Sequence, residues 1–324
     1  MATTRHNLSK SGVIDALPLA CSDERAALAF FENLRWGNNP ACLHCKSANV
    51  YTIKDRATGE RRIDGRWRCR DCGKQFTVRV GQIMEESPIP LAKWAHAFWL
   101  ASKSKNGVSA LELSRTIQIT YKSALFMMNR IRWAMRPAGP EPKLTGTVEA
   151  DETYIGGRVR NRAHRGSGMK RMRLENKTPV FAVVQRGGDV RARVMPTVKG
   201  RNVRQVLTDL ADASANLMTD ESPLYHRPGR MYFASHATVN HKNREYVDPI
   251  NPEEHTNTIE SFFARIKRQI NGTYHAVSKE HLHRYVTHSE FLHNARKLND
   301  GERVIRLVQS AEGKRIMYKA RKAS

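Results

Sequence analysis

The chain has 324 residues, 40% of them hydrophobic, and 55 Lys and Arg against 31 Asp and Glu give a formal charge of +24. That length holds two or three domains, and the apolar share excludes a disordered tail. No apolar run reaches the roughly 18 residues of a membrane span, so no membrane partner is expected, and no small-molecule substrate is expected either. So large a positive surplus points to nucleic acid, because neutralised phosphates release counterions and supply affinity. Met1 to Lys10 lacks the apolar core of a signal peptide, and the chain is expected to stay in the cytoplasm. Thiols are reduced there, so the five Cys call for metal or packing rather than disulfides.

Residues 1–36 read as an N-terminal helical segment. A helix is expected from Asp23 to Trp36, with Ser22 as cap, Asp23 and Glu24 in the first turn, and Ala27, Phe30, Phe31 and Leu34 as its apolar stripe. Gly37-Asn38-Asn39-Pro40 ends it. Residues 37–87 carry Cys42-x-x-Cys45 and Cys69-x-x-Cys72, the ligand set of a zinc ribbon in which four thiolates surround one Zn²⁺. Tyr51–Ile53 and Arg66–Arg68 form strand-like flanks, with Ala57–Glu60 turning between them. Four thiolates leave no open position, so the zinc is expected to be structural. Cys21 falls outside the pattern and suits a buried apolar role, while His44 lies inside a knuckle as a competing ligand.

Residues 88–137 read as a DNA-binding helix-turn-helix region. A helix rich in Trp and Phe runs from Pro88 to Lys103. Ser109 with Glu112 makes a capping box, Val108 with Leu113 a staple, and a break near Gln118–Thr120 leads into a helix from Tyr121 to Met135. Ala124, Met128, Ile131 and Met135 point inward on that helix, leaving Lys122, Asn129, Arg130 and Arg132 as candidate DNA contacts. Residues 138–145 are a linker in a Pro-rich run that begins at Arg136.

Beyond the linker the pattern becomes α/β. Strands are expected at Thr147–Asp151, Val180–Gln185 and Val190–Val194, a helix from Asn202 to Ala213, and a strand from Ala215 that delivers Asp220. That order matches the start of a ribonuclease H-like fold, so the whole is expected to be multidomain α+β, with a catalytic domain over 146–300. A helix from Thr256 to Ile270 buries Ile259, Phe262, Phe263, Ile266 and Ile270, and places Asn257, Glu260 and Lys267 on another face. Asp151, Asp220 and Glu260 then converge from two strands and a helix. Such hard oxygen ligands suit Mg²⁺ or Mn²⁺, with a pair of ions serving displacement at phosphorus. The basic insertion 158–177 offers Arg158, Arg160, Arg165, Lys170 and Arg171 to DNA, and residues 301–324 read as a basic tail.

Several motifs occur together in an order that resembles the zinc-ribbon DDE transposases of bacterial insertion sequences. They are Arg35-Trp36 before the first knuckle, Cys69-x-x-Cys72-Gly73-x-x-Phe76, Glu149-x-Asp151-Glu152-x-Tyr154-x-Gly156-Gly157, Thr219-Asp220, His255–Phe262 with Lys267-Arg268, and Gly272–His275. The resemblance spans roughly residues 25 to 297. It implies a nucleoid-associated enzyme that binds the terminal inverted repeats of its element and cuts and joins DNA as a homo-oligomer. It also implies that Asp151 and Asp220 are the first two metal ligands and that Lys267 and Arg268 contact DNA. The third ligand is Glu260 or Asn257, since members carry Glu or Asn in that role, and Glu149 is a credible substitute for Asp151. Two other readings are a regulator with a silent catalytic core and a structure-selective nuclease.

Overall fold

The computed structural model describes residues 10–156, 177–239 and 254–316. Two compact units emerge, Met1–Ala138 with Lys297–Ser324, and Gly139–Arg296.

The first unit opens with α1 (Lys10–Ser22) and α2 (Glu24–Trp36). Pro18 inside α1 hides that helix from a periodicity argument. Asp23 rather than Ser22 caps α2, accepting from the Ala26 N–H at 2.7 Å. Ser22 instead ends α1, and its hydroxyl donates back to the Pro18 and Leu19 carbonyls. The antiparallel strands β1 (Val50–Thr52), β2 (Trp67–Cys69) and β3 (Gln75–Phe76) form a small sheet in that order. Glu32 of α2, nearly buried, holds this excursion: it accepts from the Arg61 guanidinium and, at 2.7 Å, from the Trp67 indole.

Helix α3 (Leu91–Lys103) begins three residues later than the sequence suggested, because Pro90 is its cap and Pro88 precedes the turn. Pro90 has no side-chain cap bond, and the Glu24 carboxylate supplies one from afar, accepting from Leu91 N at 2.7 Å and Ala92 N at 2.9 Å. Helices α4 (Ala110–Thr116) and α5 (Tyr121–Ala134) follow. Ser109 accepts from Glu112 N, which is half of the expected box, and Thr120 accepts from Ser123 N to start α5. Gln118 turns the chain between them at φ 53°.

The second unit is built on a five-stranded sheet. Its strands are β4 (Thr147–Ile155), β5 (Thr178–Gln185), β6 (Val190–Val194), β7 (Asn216–Asp220) and β8 (Ser235–Val239), ordered β6-β5-β4-β7-β8. The first three pair antiparallel; β7 lies parallel to β4, and β8 parallel to β7. Between β6 and β7 runs α6 (Gly200–Leu210), and between β7 and β8 runs α7 (Pro223–Tyr232). Neither α7 nor β8 was expected. Then come α8 (Asn257–Arg268), which continues as a π-helical turn over Gln269–Tyr274, and α9 (Leu282–Asn294).

Strand alternation sorts the faces. Val148 and Ala150 join Phe181, Val183 and α6 in one core. Ile155 joins Val180, Ala182 and Val184 against Ile259, Phe262, Phe263 and Ile266 of α8 in the other. Odd-numbered residues of β4 therefore face α8.

The segment read as a basic tail is partly a helix. Helix α10 (Asp300–Ser310) starts with a full capping box between Asn299 and Glu302 and packs on α1, α2 and α3 of the first unit. Val304, Leu307 and Val308 are buried there, a stripe of three that gives 301–316 a structural role.

Candidate active site and metal centre

The two knuckles close on themselves in the same way. Lys46 N donates to Cys42 O and Gly73 N to Cys69 O, each four residues past its first cysteine, and both donors adopt left-handed backbone at φ 65° and 68°. Glycine meets that demand freely at 73. The fold brings all four Sγ atoms within 4.8 Å of one another, with Cys42–Cys72 and Cys45–Cys69 each at 3.6 Å. A tetrahedron with Zn–S bonds near 2.3 Å has edges of about 3.8 Å, so the donor set fits one zinc. His44 is exposed and stands outside the cluster. Cys21, at the end of α1, is half-buried, and burial pushes its thiol up to about 11.

On α5 the apolar face is as expected: Ala124, Met128 and Ile131 are fully buried, with Met127 beside them. Lys122 is exposed and Asn129 half-buried. Arg130 and Arg132 are not surface residues. They are 7% and 1% exposed, and Arg130 Nη1 donates to the Ile83 and Glu85 carbonyls at 2.7 and 3.0 Å. The helix is covered on two sides, so its buried arc reaches past the apolar stripe and takes in both guanidiniums. They are withdrawn as DNA contacts. Arg158, Arg160, Arg165, Lys170 and Arg171 lie outside the described residues.

In the second unit, the parallel register pairs Thr147 with Asn216, Val148 with Leu217 and Glu149 with Met218. Continued by two residues, it brings Asp151 level with Asp220 at the end of β7. Both point to the α8 face, since Leu217 points to the other core. Asp220 is braced by accepting from Ser222 N at 3.0 Å. Glu260 lies one turn into α8 and is half-buried. Burial, then the charges of Glu152, Asp220 and Glu260, pushes the Asp151 carboxyl up to about 7. The carboxylates are grouped more loosely than the thiols: among the described residues only the four cysteines have ligand atoms all within 4.8 Å. Asn257 is the exposed first residue of α8, and Lys267 and Arg268 are exposed at its last turn. Lys267 follows Glu260 by seven residues, nearly two whole turns, and shares its face about 10 Å further along.

Glu152 points to the opposite face, where the Tyr225 hydroxyl donates to it, and burial raises its carboxyl. Glu149 is completely buried. Its oxygens accept from Arg186 Nε at 2.7 Å, Thr258 N at 2.9 Å, Thr258 Oγ1 at 2.9 Å and Ile259 N at 3.0 Å. That engagement removes Glu149 as a substitute for Asp151. His255 stands beside it at 3.3 Å. His236 pairs with the Thr219 hydroxyl at 2.9 Å behind Asp220, and His275 is exposed. Tyr225 and Arg186 were missed in the sequence, where each sits in a segment with no motif of its own.

Comparison with known proteins agrees with these features. The transposase zinc-ribbon domain matches residues 22–75, and the ISXO2-like transposase domain matches residues 143–294. A protein of Halobacterium salinarum, described as an uncharacterized protein in transposable element ISH50, is 29% identical over 273 residues, covering 81% of this chain and 88% of its own length. Among the described residues no helix is long and apolar enough to cross a membrane.

Proposed function

We propose that this chain, which carries both domains of a zinc-ribbon insertion-sequence transposase, binds the terminal inverted repeats of its element and catalyses DNA strand cleavage and strand transfer. The observation that carries the reading is the meeting of three acids: Asp151 and Asp220 level on neighbouring parallel strands, and Glu260 on the helix packed over them. We read the second unit as a ribonuclease H-like catalytic domain. The sheet order and the parallel crossover through α6 support that assignment.

Asp151, Asp220 and Glu260 would hold Mg²⁺ or Mn²⁺, with Asn257 one turn from Glu260 as the alternative third ligand. Their carboxylate oxygens are the hard donors such ions take. Held there, a pair of such ions would supply charge to activate the attacking oxygen and neutralise the leaving one. Lys267 and Arg268 offer cations to the phosphates flanking the scissile bond. In the first unit the ribbon and α4–α5, with Lys122 and Asn129 outward, serve end recognition; zinc holds the knuckles rather than reacting. Two ends must be held together for joining, so the working form is a homo-oligomer on DNA. The inferred cellular place is the bacterial nucleoid.

A nicking and strand-transfer assay tests this, using DNA that carries the repeats flanking the encoding locus, with Mg²⁺ or Mn²⁺ and zinc quantified in the same preparation. Wild type is expected to cut and join with about one zinc per chain, and Asp220→Ala to do neither. Binding without cutting by zinc-loaded wild type would favour a regulator, and cutting without joining of pre-cut ends a nuclease.

A further inference from the structure

The helix that carries Glu260 has no cap of its own. Thr256, at the N-cap of α8, makes no side-chain cap bond. The N–H groups of Thr258 and Ile259 both donate instead to one carboxylate oxygen, Oε2 of Glu149, 109 and 110 residues earlier, while its Oε1 accepts from the Thr258 hydroxyl and Arg186. Four donors converge on this one side chain: two backbone N–H groups and the Thr258 hydroxyl from α8, and Arg186 just past β5. Arg186 reaches further, donating through Nη2 to the His255 carbonyl at 2.8 Å, just before the helix. Nothing here is exposed to water on the Glu149 side, whose relative exposure is zero.

Glu149 also shares its strand face with Asp151, two residues on. The same short piece of β4 therefore fixes one acid directly and the helix of another by its N-terminus. A carboxylate at a helix start is favoured by the helix dipole. Here that electrostatic preference acts across the fold and fixes the helix against the strand, which sets the height of Glu260 relative to Asp151. We propose that Glu149 is a positioning residue for the active site: it anchors α8 to β4 so that Glu260 and Asp151 form one cation-binding set. The proposal rests on the functional reading above, in which those acids bind divalent metal.

The test uses the full chain and measures metal binding apart from activity. Mn²⁺ binding is followed by electron paramagnetic resonance, and DNA nicking is measured across a Mn²⁺ series, for wild type, Asp220→Ala, Glu149→Gln and Glu149→Asp. Glutamine keeps the shape but sets an NH₂ against donors that need an acceptor. Expected for Glu149→Gln is a folded, zinc-loaded protein whose Mn²⁺ affinity is about tenfold or more weaker, as when an outer ligand-orienting group is lost. The Mn²⁺ concentration for half-maximal nicking should rise by the same factor, and Glu149→Asp should recover part of it. A role in stability alone would lower the folded fraction and leave that half-saturation point in place; this result, in a folded Glu149→Gln or, if it does not fold, in Glu149→Asp, overturns the proposal. Wild type that shows no Asp220-dependent Mn²⁺ binding overturns the functional reading, and the positioning role falls with it.

Discussion

Asp151 gives the most direct quantitative test of the acid cluster. Burial, with the charges of Glu152, Asp220 and Glu260, raises its carboxyl from 3.8 to about 7. Between those two values the folded protein holds a proton that the unfolded chain has released. Stability therefore falls as pH rises through that window, by up to about 4 kcal/mol at 1.36 kcal/mol per pH unit. In the proposed site a divalent cation would bind the carboxylate form, so loading would expel that proton, and affinity should move with pH in the opposite direction. Below about pH 7 the logarithm of the Mn²⁺ association constant should rise by about one per pH unit, and above it the curve should flatten. Calorimetric titration in two buffers of different ionisation enthalpy reads the same event as about one proton released per site near pH 6, and far fewer near pH 8. Asp220→Asn, by removing one of the like charges, should move the bend to lower pH while weakening binding. A flat affinity from about pH 5.5 to 7.5, with no proton release, would refute the reasoning: either Asp151 is ionised throughout or the cation binds elsewhere.

Two further outcomes separate structure from DNA contact. Arg130→Ala should cost about 2–4 kcal/mol in urea unfolding, since its guanidinium satisfies two carbonyls in a buried setting. DNA affinity per folded molecule should not change. Lys122→Ala should leave stability within about 0.5 kcal/mol but reduce the salt slope of DNA binding by about one, read by fluorescence anisotropy across a salt series. A chain truncated after Arg296 loses α10 and the Glu312 carboxylate that Arg35 engages while also donating to the Val78 and Val80 carbonyls. The first unit should then lose cooperative thermal unfolding; a melting curve unchanged within about a degree would return this segment to the status of a tail.

The zinc knuckles, the α2 and α8 stripes and the β5–β6 hairpin were legible in the amino-acid sequence because each is written in local spacing: two residues between thiols, 3.6 residues per turn, a glycine pair between apolar runs. The candidate acids were named from strand ends and a helix face, helped by a resemblance that spans most of the chain. What local pattern does not carry is the far partner. Nothing near Glu149 announces that its carboxylate caps a helix more than a hundred residues later, or near Glu24 that it caps α3. A period says which residues of α5 share a face but not how wide an arc neighbouring elements cover, so Arg130 and Arg132 read as surface until the packing buried them. The level placement of Asp151 and Asp220 was decided by the register of β4 on β7, and the return of α10 to the first unit by an apolar stripe that finds its cover there. Backbone spacing is a property of neighbours in the chain; burial and charge pairing are properties of neighbours in space, and only the folded chain brings those together.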